Sequence, residues 1–164
     1  MAKKKSIYLR NFIFGVEDSL VSTVGLLAGV AAADISQSAI VTTGLVLIVV
    51  EGFSMGIGSF LTEETTEEMA GIRVRTLDSV KGAITMLVSY CLAGLLPLAP
   101  YTILSGDYAV NTSITVSLLG LMGLGYGTSL YYKRPYPIFR AFKMLLLGGS
   151  AVFVGMMIGK LFHL

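Results

Sequence analysis

The chain has no tryptophan, a single cysteine, a single histidine and few charges, only 13% of its 164 residues. One cysteine, Cys91, can form no intrachain disulfide, and its mid-chain apolar setting reads as a small core residue. One histidine, His163, cannot supply the clustered imidazoles of a zinc or catalytic centre. There is no nucleophile–base pair and no phosphate-cradling loop, so neither an enzyme nor a permanently bound cofactor is expected. So few charges cannot cover the surface of a soluble core when 54% of residues are hydrophobic and mean hydropathy is +0.79. The composition is that of an integral membrane protein.

What is present is long apolar runs. A transmembrane helix needs about 20 mostly apolar residues to cross roughly 30 Å of hydrocarbon. Five segments qualify, near residues 11–33, 39–62, 82–104, 111–132 and 141–162. They use most of the chain, so the expectation is an all-α membrane protein, one five-helix transmembrane domain over residues 1–164. Eleven of the twelve Lys and Arg fall on one side: Lys3, Lys4, Lys5 and Arg10, then Arg73, Arg75 and Lys81, then Lys133, Arg134, Arg140 and Lys143. The opposite loops, "DISQS" and "SGDYAV", have none, which predicts a cytoplasmic N-terminus and an outside C-terminus. Lys160 is the exception, and near a helix end it can snorkel to the interface. The same rule accounts for "AKKKS" without a nucleic-acid partner. A cleavable signal would have its apolar region interrupted by Glu17 and Asp18, so a retained helix is expected. No Arg- and Ser-rich presequence is evident, which favours a prokaryotic plasma membrane over an organelle.

Small residues recur four apart: Gly25 and Gly29, Gly52 and Gly56, Gly123 and Gly127, Gly155 and Gly159. Such pairs let helices approach closely where lipid gives no hydrophobic drive for association. Pro97 and Pro100 are expected to break or kink the outer end of the third span. Tyr101, Tyr131, Tyr132 and Tyr136 fit an aromatic belt at the interfaces.

The segment "FIFGVEDSLVSTVGLLAG" puts Glu17 and Asp18 about two turns into the first span, and Glu51 lies mid-way through the second. A central charge costs roughly 2.5–3.5 kcal/mol on insertion scales, so such acids are usually functional or paired. Neither span contains Lys or Arg, so the acids must be protonated, hydrated or bound to a cation. If spans one and two form an antiparallel hairpin, reflection through the short loop puts Asp18 level with Met55, and Glu51, four residues earlier, shares that helix face. Two carboxylates and a thioether suit a transition metal such as ferrous iron better than magnesium or calcium. Met55 serves equally well as packing, being one of eight methionines.

A second acidic cluster, "TEETTEEMAG", follows span two. Continued as a helix, Glu63 and Glu67 share one face and Glu64 and Glu68 the next, a spacing that can gather metal at the mouth of a pathway. The alternative is a solvated helix end with Arg73 and Arg75 as partners. Asp78 and Asp107 read as loop or cap residues.

Three blocks, "FGVEDSLVSTVGLLAG", "GFSMGIGSFL" and "AGLLPLAPY", resemble the vacuolar iron transporter family, in the family's order and across nearly the whole chain outside the N-terminal tail. The resemblance implies a homodimer of five-helix protomers that exchanges divalent metal, ferrous iron or manganese, for protons along spans one and two. Carried over by position, it implies that Asp18 and Met55 contact the metal. Two departures stand out. In the plant-type pattern the span-two acid falls two turns before the methionine, which is Leu47 here, whereas this chain has Glu51 one turn before. The long glutamate-rich cytoplasmic domain between spans two and three is replaced by about 20 residues, leaving "EETTEE" as a remnant at most. The expected function is proton-coupled export of divalent transition metal, with Asp18, Glu51 and Met55 as ligands and Glu17 at the entrance. Two rivals are a metal-binding or storage accessory that moves nothing, and an organic-cation transporter. The latter would want aromatic cages, yet spans one and two hold no Trp or Tyr.

Overall fold

The computed structural model describes residues 2–71 and 76–162, with side chains from Ile7 onward. Arg73, Arg75 and His163, and the side chains of Lys3, Lys4 and Lys5, lie outside the described residues. Five α-helices account for nearly all of the rest: α1 (Ala2–Ala32), α2 (Gln37–Met69), α3 (Thr76–Ile103), α4 (Gly106–Tyr131) and α5 (Pro137–Leu161). Each is long and apolar enough to cross a membrane. The helices overrun the apolar segments that define them. At 1.5 Å per residue, the 33 residues of α2 reach roughly 50 Å, well past the hydrocarbon, and carry the acids of 63–68 beyond it as continuous helix.

The bundle is built around α1, which packs chiefly on α3 and α5 and also touches α4 and α2. Since α2 rests mainly on α3 rather than on α1, the first two helices are not the tight hairpin that their short loop suggests. α2 and α5 flank α1, and a groove of about 600 Å³ opens between them with α1 as its floor. The outer faces are apolar: Val46, Val49, Val50 and Phe53 of α2 and Phe153 and Val154 of α5 are exposed. Inside, by contrast, small hydroxyls are buried, among them Ser19, Thr23, Ser89, Ser113 and Ser117. This is the distribution expected when lipid is the solvent and helices must be held by close contact and hydrogen bonds.

Close contact is supplied by glycine. A Cβ built at Gly155 would stand 2.0 Å from the Gly25 carbonyl oxygen, and one at Gly159 2.0 Å from that of Gly29, so α1 and α5 meet backbone to backbone. Gly52 and Gly56 make room on α3 mainly for the side chains of Leu87, Tyr90 and Cys91, whereas Gly123 and Gly127 face open space and bring no helices together within this chain. The helix α3 is not broken by its prolines. It runs through Pro97 and Pro100 to Ile103, with the Pro97 carbonyl accepting from Ser113 Oγ (2.6 Å) and that of Pro100 from the Leu104 N–H (2.8 Å). Gln37 then caps the end of α3 by donating to the Tyr101 and Leu104 carbonyls. Of the four expected belt tyrosines, Tyr131, Tyr132 and Tyr136 are exposed, but Tyr101 is buried in an apolar cluster with Leu27, Ile40 and Leu98.

Candidate functional site

The register of α1 against α2 is set by two side-chain contacts. Arg10 pairs with Glu63 at 3.1 Å, and Asn11 Nδ2 donates to Ser59 Oγ at 2.7 Å. Carried up the antiparallel helices, the offset of the first pair brings Asp18 to the level of Met55. Asp18 and Glu51 approach closely enough to interact electrostatically, with no Lys or Arg among the groups acting on Asp18. Two like charges away from bulk water repel, so a bare doubly ionised pair is disfavoured here. A proton or a cation relieves it.

The third element of the site is Tyr90 of α3, which is fully buried and donates its hydroxyl hydrogen to Glu51 Oε2. Ser22 Oγ lies 2.7 Å from the Tyr90 hydroxyl, and Ser19 Oγ donates to the Tyr90 carbonyl at 2.7 Å. α1 thereby holds Tyr90 of α3 at both its backbone carbonyl and its hydroxyl. These contacts make one polar chain through the bundle, from Ser22 through Tyr90 to Glu51, with Asp18 beside it. Glu51 and Ser22 also line the α2–α5 groove, so the chain opens sideways to an apolar cleft rather than ending in the core. Leu47, one turn before Glu51, faces the same groove.

Met55 is half-buried and lines a second cavity, of about 590 Å³, with Asn11, Phe14, Ser59 and Met86. Its thioether therefore faces the α1–α3 side one turn nearer the Arg10 end than Glu51 does. Among the described residues, no three Asp, Glu, His or Cys side chains converge on one point. The carboxylate pair alone is not a complete set of metal ligands.

Glu17 has a different setting. It turns to the opposite flank of α1, into a cavity of about 590 Å³ at the α4–α5 turn, where Arg140 and Lys143 act on it electrostatically. Spans one and two hold no Lys or Arg, yet Glu17 has cations nearby. The cations are contributed by α5, beyond the reach of an argument from spans one and two. In the distal cluster, Glu63 and Glu67 are buried and Glu64 and Glu68 lie on the more open side, and Arg10 of α1 is a partner of Glu63, while the expected partners Arg73 and Arg75 lie outside the described residues. Tyr90, Ser22 and Asn11 were not evident from the acids alone. A lone tyrosine in the middle of an apolar span, far from either interface, is the signal that marks Tyr90.

Comparison with known proteins matches the model of the VIT family to residues 9–77 and 63–160. Vacuolar iron transporter from Centaurea cyanus is 25% identical over 204 positions, covering 87% of this chain and 83% of its own. Vacuolar iron transporter 1 from Arabidopsis thaliana is 22% identical over 204 positions (87% and 81%), and vacuolar iron transporter homolog 2 from Oryza sativa subsp. japonica is 26% identical over 159 (87% and 83%). The first two alignments contain more positions than this chain has residues, so those relatives carry additional residues inside the matched region. The relatives are plant proteins named for the vacuole, and the expected prokaryotic plasma membrane is not borne out by them.

Proposed function

The chain belongs to the VIT family, and we propose that it moves ferrous iron or manganese, as substrate, out of the cytoplasm in exchange for protons. The observation that carries this reading is the Asp18–Glu51 pair: two carboxylates on facing helices close enough to repel, one of them, Glu51, held by the Tyr90 hydroxyl and lining the α2–α5 groove. A divalent cation is the charge that fits between two acids, and the names of the relatives point to iron.

In this mechanism metal gathers at the Glu63–Glu68 end of α2, passes the Met55 cavity, and loses water as it reaches Asp18 and Glu51. The soft Met55 thioether favours a transition metal such as ferrous iron over magnesium. Tyr90 orients Glu51 and donates a hydrogen bond whether or not metal is bound. Release follows when protons from the far side compete for the same carboxylates, since metal and proton cannot both occupy them. The α2–α5 groove with its apolar walls is where a second protomer would seat, completing the ligand set of a homodimer. The basic end of the bundle, with the N-terminus, faces the cytoplasm by the distribution of Lys and Arg.

The test is ferrous iron and manganese uptake into proteoliposomes across an imposed proton gradient, with a pH-sensitive dye inside. Coupled metal and opposite proton movement, reduced in Met55→Ala and lost in Asp18→Asn, is expected. Tight metal binding without flux would instead mark a storage or accessory protein, and flux of an organic cation without metal would mark the other rival.

A further inference from the structure

The cavity at the α4–α5 turn has no part in the metal pathway and has the wrong sign of charge for it. Arg134, Arg140 and Lys143 line it against one carboxylate, Glu17. Glu17 is near enough to Arg140 and Lys143 to attract them, yet among the described residues it forms no direct ion pair with either. Three cations against one acid leave the cavity with an excess of two positive charges.

An independent observation marks it as a site for a ligand. Ser129 lines the cavity, is 0% exposed, and its Oγ has no hydrogen-bond partner. A buried serine in a membrane helix ordinarily satisfies itself on the carbonyl one turn back, as Thr128 does on Leu124 at 2.8 Å. Ser129 instead keeps its hydroxyl free, while its carbonyl accepts the Arg134 N–H at 2.9 Å and folds the chain back over the cavity. A buried hydroxyl left without a partner is rare and calls for an acceptor.

We propose that this cavity binds a phosphate group, carried either by an anionic lipid headgroup or by a free phosphate. Two guanidinium forks and an ammonium match the oxygens of a phosphate, and Ser129 donates to one of them. Tyr136 and Phe139 stand exposed at the rim, where an aromatic and apolar lip meets the end of a membrane helix. Glu17 is then the counter-charge that holds Arg140 and Lys143 in place rather than a metal ligand.

The experiment is native mass spectrometry of the full chain in detergent with added phosphatidylglycerol or phosphatidylcholine, beside melting curves with inorganic phosphate. Phosphatidylglycerol retained about tenfold over phosphatidylcholine, and lost in the Arg140→Gln/Lys143→Gln pair, assigns the site to a lipid phosphate. A melting-temperature rise with inorganic phosphate, absent in that pair, assigns it to a free phosphate. Because the pair of changes also frees Glu17 and can unfold the bundle, Arg134→Gln at an exposed position and Ser129→Ala are measured alongside, each expected to weaken retention or the phosphate shift severalfold. Equal retention of both lipids with no phosphate shift in the wild type overturns the proposal, as does an unchanged response in Arg134→Gln and Ser129→Ala.

Discussion

Glu17 and Asp18 are neighbours in sequence and inhabit opposite electrostatic surroundings. Asp18 turns toward α2 and α3, where its companions are a second acid and a phenol, whereas Glu17, about 100° around the helix, turns toward α5 and three cations. One side is short of positive charge and the other has an excess. The lesson is that an acid in a membrane helix is not informative until its flank is known. The one with no cation near it asks for a cation from outside, and the one that faces cations anchors a basic surface.

The contrast can be broken most sharply at Asp18. Asp18→Asn is expected to lower metal flux by more than about 100-fold, above the roughly 10- to 100-fold typical of losing an outer-shell partner, with the melting temperature and elution volume of the protein retained. Normal flux in that variant would remove Asp18 from the pathway. Next in size is Gly155→Val, which puts a side chain into the Gly25 backbone and separates α1 from the helix that brings the cations to Glu17. A destabilisation of about 1–3 kcal/mol or more is expected, read as a fall in melting temperature in detergent. A variant as stable as the wild type would show that α1 and α5 are not in close contact.

Tyr90→Phe sharpens the Asp18 side by removing one hydroxyl. Glu51 loses its donor, and a drop of about tenfold in flux is expected with the fold intact, since packing of the ring is kept. Unaltered flux at several metal concentrations would make Tyr90 a packing residue. The smallest effect belongs to Glu17→Gln. On the basic flank its loss should change metal flux by less than about fivefold, the equivalent of 1 kcal/mol. A Glu17→Gln effect as large as that of Asp18→Asn would erase the distinction between the flanks.

Much of the fold was legible because it is a local property. Five apolar runs of the right length mark five helices, and the antiparallel offset of α1 and α2 follows from a short connection, as the Arg10–Glu63 contact illustrates. The ends were less legible. α2 continues through its acids and α3 through its prolines, because helix propensity and a partner such as Gln37 carry the backbone past the point where hydrophobicity stops. Glycine spacing marked every pair alike, yet Gly25 with Gly155 makes a backbone contact and Gly123 makes none, because the spacing shows that a helix can be approached and not which helix approaches it.

The sequence alone determined that the chain resides in a membrane, that it crosses as helices, and that Asp18 and Glu51 are acids within apolar spans that carry no Lys or Arg. Those conclusions need only length, hydropathy and the cost of a charge in hydrocarbon. The tertiary structure decided which flank each acid faces, that Tyr90 reaches Glu51 across 39 residues of sequence, and that cations 123 and 126 positions away attend Glu17. Those are contacts between helices. Their pairing depends on the rotation and neighbours of each helix, and no single span encodes that.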